Sequence, residues 1–387
     1  MAGEEADDAG LEISRKPEDL AALTEHTKPG DHGAMAVVDE VRFDIYTEKR
    51  FTDDEKAQIR KVLSSDKWPK ELCEFAVKAL LPTKVTDKTL KDFEERLEFI
   101  KVRVPLEFLI GDSKFGFAKL LGKRVSFLSA LADSLGKTEW ENLLRDDEKC
   151  KQYARAAFLG DPIYRLSDEM FEGFAKRDAV PVEAEVGAED RLEELQDVLG
   201  QTGIEKIALP LANKIIFAKP NDPNTVRGHN HNFTGDVIVS TGVEKKPMLI
   251  PVLLHELGHA MEKRVSRDDR AREIFDRYIV LSQLEATKHS PYVDSFELTD
   301  GKASGYYVEE SFAEDFRLYW LKPEALSSGK SAIFDEFCDR FLGGVDREKA
   351  RAQIRSVLGN FYGRSVNDIF QMIDCYVPRK LAERRKK

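Results

Sequence analysis

No stretch of the 387-residue chain approaches the roughly 20 consecutive apolar residues of a membrane-spanning helix. The N-terminal run from Met1 to Asp8 lacks the basic region and apolar segment of a secretory signal. The expectation is therefore a protein that is cytoplasmic as synthesised, with delivery or export as an effector left open. Cysteine is scarce: Cys73, Cys150, Cys338 and Cys375 lie far apart, with no C-x-x-C pair. That excludes a disulfide framework and a thiolate metal cage, and leaves reduced, buried thiols of an intracellular protein. Positive charge is in deficit, 60 Lys and Arg against 71 Asp and Glu for a net charge of −11, which argues against general nucleic-acid binding. Only seven histidines are present, and no internal repeat is visible.

What remains is an ordinary globular composition, 42% hydrophobic and 34% charged, long enough for two or three units. Residues 1–40 carry eleven acids against three bases and few large apolar groups, so they read as a disordered acidic tail. Residues 41–180 read as an all-helical unit. Thr52-Asp-Asp-Glu55 is a capping box, and helical stretches follow near 69–81, 87–102, 113–135 and 138–158. Phe93, Leu97, Phe99, Phe108, Phe115, Phe117 and Phe127 recur as a packed core does. The junction falls in Asp178 to Ala188. Beyond it, over 188–378, come a helix near 190–200, β-prone runs at Ile204 to Leu209 and Lys214 to Ala218, a long loop over 220–234, and a strand at Asp236 to Ser240. A basic tail, 379–387, closes the chain. The fold class is α+β, predominantly helical, with a small mixed sheet.

The residues that carry chemistry are His255-Glu-Leu-Gly-His259, inside an apolar run. Residues four apart on a helix share a face, so His255 and His259 can converge on one metal ion. Glu256, one step round, can reach a water at that ion without being a ligand. This is the H-E-x-x-H pattern of zinc peptidases. Two histidines are an incomplete site, because a catalytic zinc takes three protein ligands and leaves one position open. The continuation with a Gly and a third His fails at Glu262 and Val265. His229 and His231, spaced H-x-H in the loop, are one alternative source of a ligand. A helix over Gly305 to Trp320 is another: Phe312, Phe316 and Trp320 form an apolar face, and Glu310 and Glu314 share a different one. Glu310 is the preferred third ligand, with Glu314 hydrogen-bonding the far nitrogen of a histidine. Glu309 and Asp315 remain as alternatives to Glu310. Gly258, without a side chain, allows that second helix to pack close enough for its carboxylate to reach the ion.

Taken together, His255-Glu-Leu-Gly-His259 and Glu310-Ser-Phe-Ala-Glu-Asp-Phe-Arg-Leu318 resemble the gluzincin peptidase domain of anthrax lethal factor and the related Pro-Pro endopeptidases. The likeness covers roughly residues 200–320. It implies a zincin-like catalytic domain, zinc ligands at His255, His259 and Glu310, a general base at Glu256, a paired acid at Glu314, and a role as a toxin or effector. The chain departs from the family at its catalytic tyrosine, seven residues before the third ligand, where Ala303 stands. Tyr306 and Tyr307 are the nearest replacements.

These parts imply one catalytic Zn²⁺ and a polypeptide substrate. Zinc activates a water, Glu256 takes its proton, and Tyr307 or Tyr306 helps to stabilise the oxyanion. Gly235, Val237 and Val239 would form an edge strand receiving an extended peptide, with His229 and His231 as secondary contacts. Two other readings use the same residues: a non-cleaving zincin-fold binding or structural module, and a zinc hydrolase of a non-peptide amide. The intact Glu256 weighs against the module.

Overall fold

The computed structural model describes residues 51–110, 115–159, 168–189, 192–218, 228–230, 234–240, 249–266, 268–285 and 305–362, with a few positions between 43 and 50. Both charged tails, 1–40 and 379–387, lie outside the described residues. The chain divides into two compact units, 1–113 and 114–387.

The first unit is helical. Thr52 opens α1 (Asp53–Leu63) with the expected capping box: its hydroxyl accepts from the Glu55 backbone N–H, and the Glu55 carboxylate accepts from the Thr52 N–H at 2.8 Å. Two of the four N–H groups orphaned at a helix start are thereby satisfied. Pro69 precedes α2 (Lys70–Ala79), and Thr86 caps α3 (Asp87–Arg103). Their inward faces bury Ile59, Leu63, Leu72, Phe75, Phe93, Leu97 and Ile100.

The second unit starts well before the expected junction near 178–188. It includes α4 (Phe115–Leu121), α5 (Val125–Arg145), α6 (Asp147–Leu159) and α7 (Asp168–Ala175). One cause is a buried ionic tie. Asp276, on α11 (Asp269–Leu284), accepts from Arg124 and from Ser126, each at 2.6 Å, at the start of α5. A pair about 150 residues apart in sequence leaves no local pattern. Gly136 breaks α5 with φ 72°, as its place in the sequence suggested. Phe117 and Phe127 are buried, but Phe115 is 67% exposed and does not belong to the expected aromatic core.

The junction itself contributes β1 (Val182–Ala184). After α8 (Leu192–Thr202), Ile204 to Leu209 is not a strand but encloses α9 (Glu205–Ala208). Ile204, Ile207, Ala208 and Leu211 are all buried, a spacing of 3.6 rather than 2, so the β-prone residues follow a helical period. β2 (Ile215–Ala218) and β4 (Val237–Ser240) appear where expected, and β3 (Gly228–Asn230) lies within the expected loop. The sheet order is β1-β2-β4-β3, parallel except for the antiparallel β3–β4 pair. It is the small mixed sheet anticipated.

This order corrects the edge. β4 is interior, its backbone paired with β2 and β3, and Val237 and Val239 are fully buried. Val237 and Val239 therefore cannot receive a peptide, and Gly235, which precedes β4, already accepts from the Asn213 N–H at 2.9 Å. Among the described strands, β3 is the one at that edge.

The helix α10 (Leu249–Val265) packs against β3 and β4 and against α12 (Gly305–Leu321). On α12, Phe312 sits among Tyr278, Phe334, Phe275 and Phe337 at ring-centroid distances of 4.9–5.8 Å. Phe334 and Phe337 come from α13 (Ser328–Phe341), and α14 (Arg347–Tyr362) follows it. Burying each such ring contributes about 1.5–3 kcal/mol, so this aromatic cluster fixes the rotation of α12 about its axis. Glu310 and Glu314 are thereby turned to the histidines of α10.

Candidate metal centre

The two histidines project from α10 one turn apart, with ring centroids 4.9 Å apart and planes at 86°. The carboxylate of Glu310 on α12 meets both. Its Oε2 lies 3.1 Å from His255 Nε2 and 3.6 Å from His259 Nε2. One donor atom from each of the three residues falls within 4.8 Å of the others. Ligands about 2.1 Å from a tetrahedral ion stand about 3.4 Å apart, so the two observed spacings bracket the required one. Two imidazoles and a carboxylate suit a first-row divalent ion. This group can bind a metal ion.

The close approach of the helices depends on Gly258. A Cβ added there would lie 2.6 Å from Ala313 Cα and 2.9 Å from the Ala313 carbonyl oxygen. The backbones of α10 and α12 are thus in contact at that point, as the glycine predicted.

Glu256 is buried, 5% exposed, and its Oε2 has no hydrogen-bond partner among the described residues. An orphaned buried carboxylate oxygen is costly unless it has a use. Burial pushes this carboxyl up, and the charge of Glu310 adds to the effect against the opposing histidines. A carboxylate so placed takes up a proton more readily than an ordinary one.

Glu314 is the outer support. Its Oε2 lies 3.4 Å from His255 Nδ1, while its Oε1 accepts from Arg317. Burial opposes the charge of Glu314, but Arg317 and His255 hold it below the usual carboxylate range. For Glu310, burial is likewise overcome by the two histidines, which hold the carboxyl far down. The same contacts act on His255 in reverse. Burial alone would lower it, yet Glu310 and Glu314 raise it to about 10 in the metal-free protein.

A metal ion must displace that proton. Below about pH 10 metal-free His255 is protonated, so each ion bound should release one proton from it. Apparent metal affinity is then expected to rise roughly tenfold per pH unit between about pH 6.5 and 8.5. Isothermal titration calorimetry in buffers of different ionisation enthalpy measures the proton directly; an affinity flat across this window would contradict the expectation.

The remaining expected residues fall out as follows. Glu309 lies outside the three-residue group; burial and the charge of Glu310 raise its carboxyl, with His259 and Lys263 opposing. Its charge also acts on Glu262, whose carboxyl is pushed up to about 7, chiefly by burial. Asp315 is committed elsewhere, accepting from Tyr278 Oη at 2.7 Å and Lys330 Nζ at 2.8 Å. Tyr306 and Tyr307 stand in the first turn of α12, and His229 in β3 opposite Ile238, but their side chains lie outside the described residues, as does His231 entirely. Arg317 was not singled out from the sequence, although a base three residues after Glu314 on a helix is a recognisable pairing.

Among the described residues, no helix is long and apolar enough to cross a membrane. Set against protein-family models, curated proteins and solved structures, the chain matches none of them.

Proposed function

We propose that the chain is a zinc-dependent endopeptidase of the gluzincin type, similar to the lethal factor and Pro-Pro endopeptidase domains, acting on a protein substrate. One observation carries the proposal: His255, His259 and Glu310 converge within ligand distance, with buried Glu256, one of whose carboxylate oxygens has no hydrogen-bond partner among the described residues, next to His255 in sequence. Two histidines and a glutamate, with a glutamate base beside them, form the donor set of hydrolytic zinc sites.

His255, His259 and Glu310 would hold the ion. When bound, zinc supplies Lewis acidity, lowering the pKa of a coordinated water and polarising a carbonyl. Glu256 removes a proton from the attacking water and delivers it to the departing amide nitrogen. Glu314 keeps the His255 ring in one orientation. Tyr306 or Tyr307, one turn before Glu310, is the proposed donor to the carbonyl oxygen. The substrate would lie as an extended strand along β3, which packs against α10 and, among the described residues, is paired on one side alone.

The test compares the zinc-loaded full chain with its Glu256→Gln variant on casein and on a peptide library. Wild type should cleave, and the variant should lose about 10²- to 10⁴-fold in kcat while keeping its zinc. Zinc bound with no peptide cleaved by wild type would refute the proposal and favour a non-cleaving binding module.

A further inference from the structure

The carboxylate of Glu314 divides its two oxygens between two partners. Oε2 lies 3.4 Å from His255 Nδ1, and Oε1 accepts from Arg317 Nη2 one helical turn on. Glu314 and Arg317 are 2% and 7% exposed, so water cannot readily replace either contact. A carboxylate pivots about its last side-chain bond, and a single contact to an imidazole does not fix that rotation. A second, charge-assisted bond to the other oxygen does. The helix that carries Glu314 is itself held by Phe312 and Phe316 in the aromatic cluster.

We infer that Arg317 is a positioning residue for the metal centre: it holds one oxygen of Glu314 so that the other accepts the proton of His255 Nδ1, leaving the Nε2 lone pair to the ion. The inference rests on the metal reading proposed above. Arg317 touches neither ion nor substrate in this scheme and acts through Glu314. The contact is one nitrogen to one oxygen, which a lysine at the same position can also make.

The test uses the full chain, with zinc as the probe in competition against a chromophoric chelator. Arg317→Gln should weaken zinc binding about 10- to 100-fold, the usual cost of losing an outer support, and Arg317→Lys should recover most of it. A second readout is the His255 Nδ1–H signal of the zinc-loaded, histidine-labelled protein. It should exchange with water faster in Arg317→Gln and return to wild-type behaviour in Arg317→Lys. Wild-type affinity with an unchanged ring N–H signal in a folded Arg317→Gln would overturn the inference while leaving the metal reading intact. Absence of zinc binding by wild type would overturn both. If Arg317→Gln does not fold, Arg317→Met, an apolar chain of similar length, carries the same two readouts.

Discussion

Glu310→Ala should lower metal affinity by at least about a thousandfold, roughly 4 kcal/mol. Losing an outer-shell partner typically costs about 10- to 100-fold, and losing a ligand must cost more. Glu310 is also the only acid of the three considered that meets both imidazoles, at 3.1 and 3.6 Å. Glu309→Ala is the matched control. It removes a neighbouring carboxylate of similar charge, so an effect of net charge alone would appear in both variants. Glu309→Ala should leave affinity within about threefold of wild type. Chelator competition on the purified full chain measures both. Equal losses would reduce Glu310 to a source of field, and a larger loss at Glu309 would overturn the ligand assignment.

Gly258→Ala should destabilise the metal-free protein by about 1–3 kcal/mol, although alanine is the better helix former by about 1 kcal/mol. The new methyl would meet the Ala313 backbone at 2.6 Å, and neither partner is a flexible side chain that can swing aside. Relief requires α12 to move away from α10, which carries Glu310 away from the histidines. Metal affinity should therefore fall together with stability. Gly200, in α8, provides the opposite sign: a Cβ there meets nothing within 4 Å, so Gly200→Ala should stabilise by about 0.5–1 kcal/mol. Denaturant unfolding of the two variants decides the matter. Stabilisation by Gly258→Ala would show that the helices do not touch where the geometry puts them.

The site was more legible in the sequence than the sheet beside it, for a physical reason. His255, His259, Glu310 and Glu314 are pairs four apart on helices, where sequence spacing maps directly onto a shared face. Gly258 could be read the same way, because a missing side chain one step before a ligand has a simple steric use. Strand order has no such local code. β3 is three residues, Gly228–Asn230, without alternation or β-branched residues, and it forms the edge solely because it pairs with β4. The β-prone run at Asp236 to Ser240 marks β4 (Val237–Ser240), while the strand's place within the sheet depends on partners elsewhere in the chain. Ile204 to Leu209 is the converse case: its β-branched composition suggests a strand, but its apolar residues recur at a helical period and it forms α9. The unit boundary was hidden because Asp276 binds Arg124 and Ser126 across about 150 residues.

Anomalous diffraction at the zinc edge, on crystals of the full chain grown with zinc, tests the central claim most directly. The account predicts one strong peak per chain, about 2.0–2.2 Å from His255 Nε2, His259 Nε2 and a Glu310 oxygen, with Glu256 unligated. No peak between α10 and α12, or a peak that Glu310 does not touch, would contradict it.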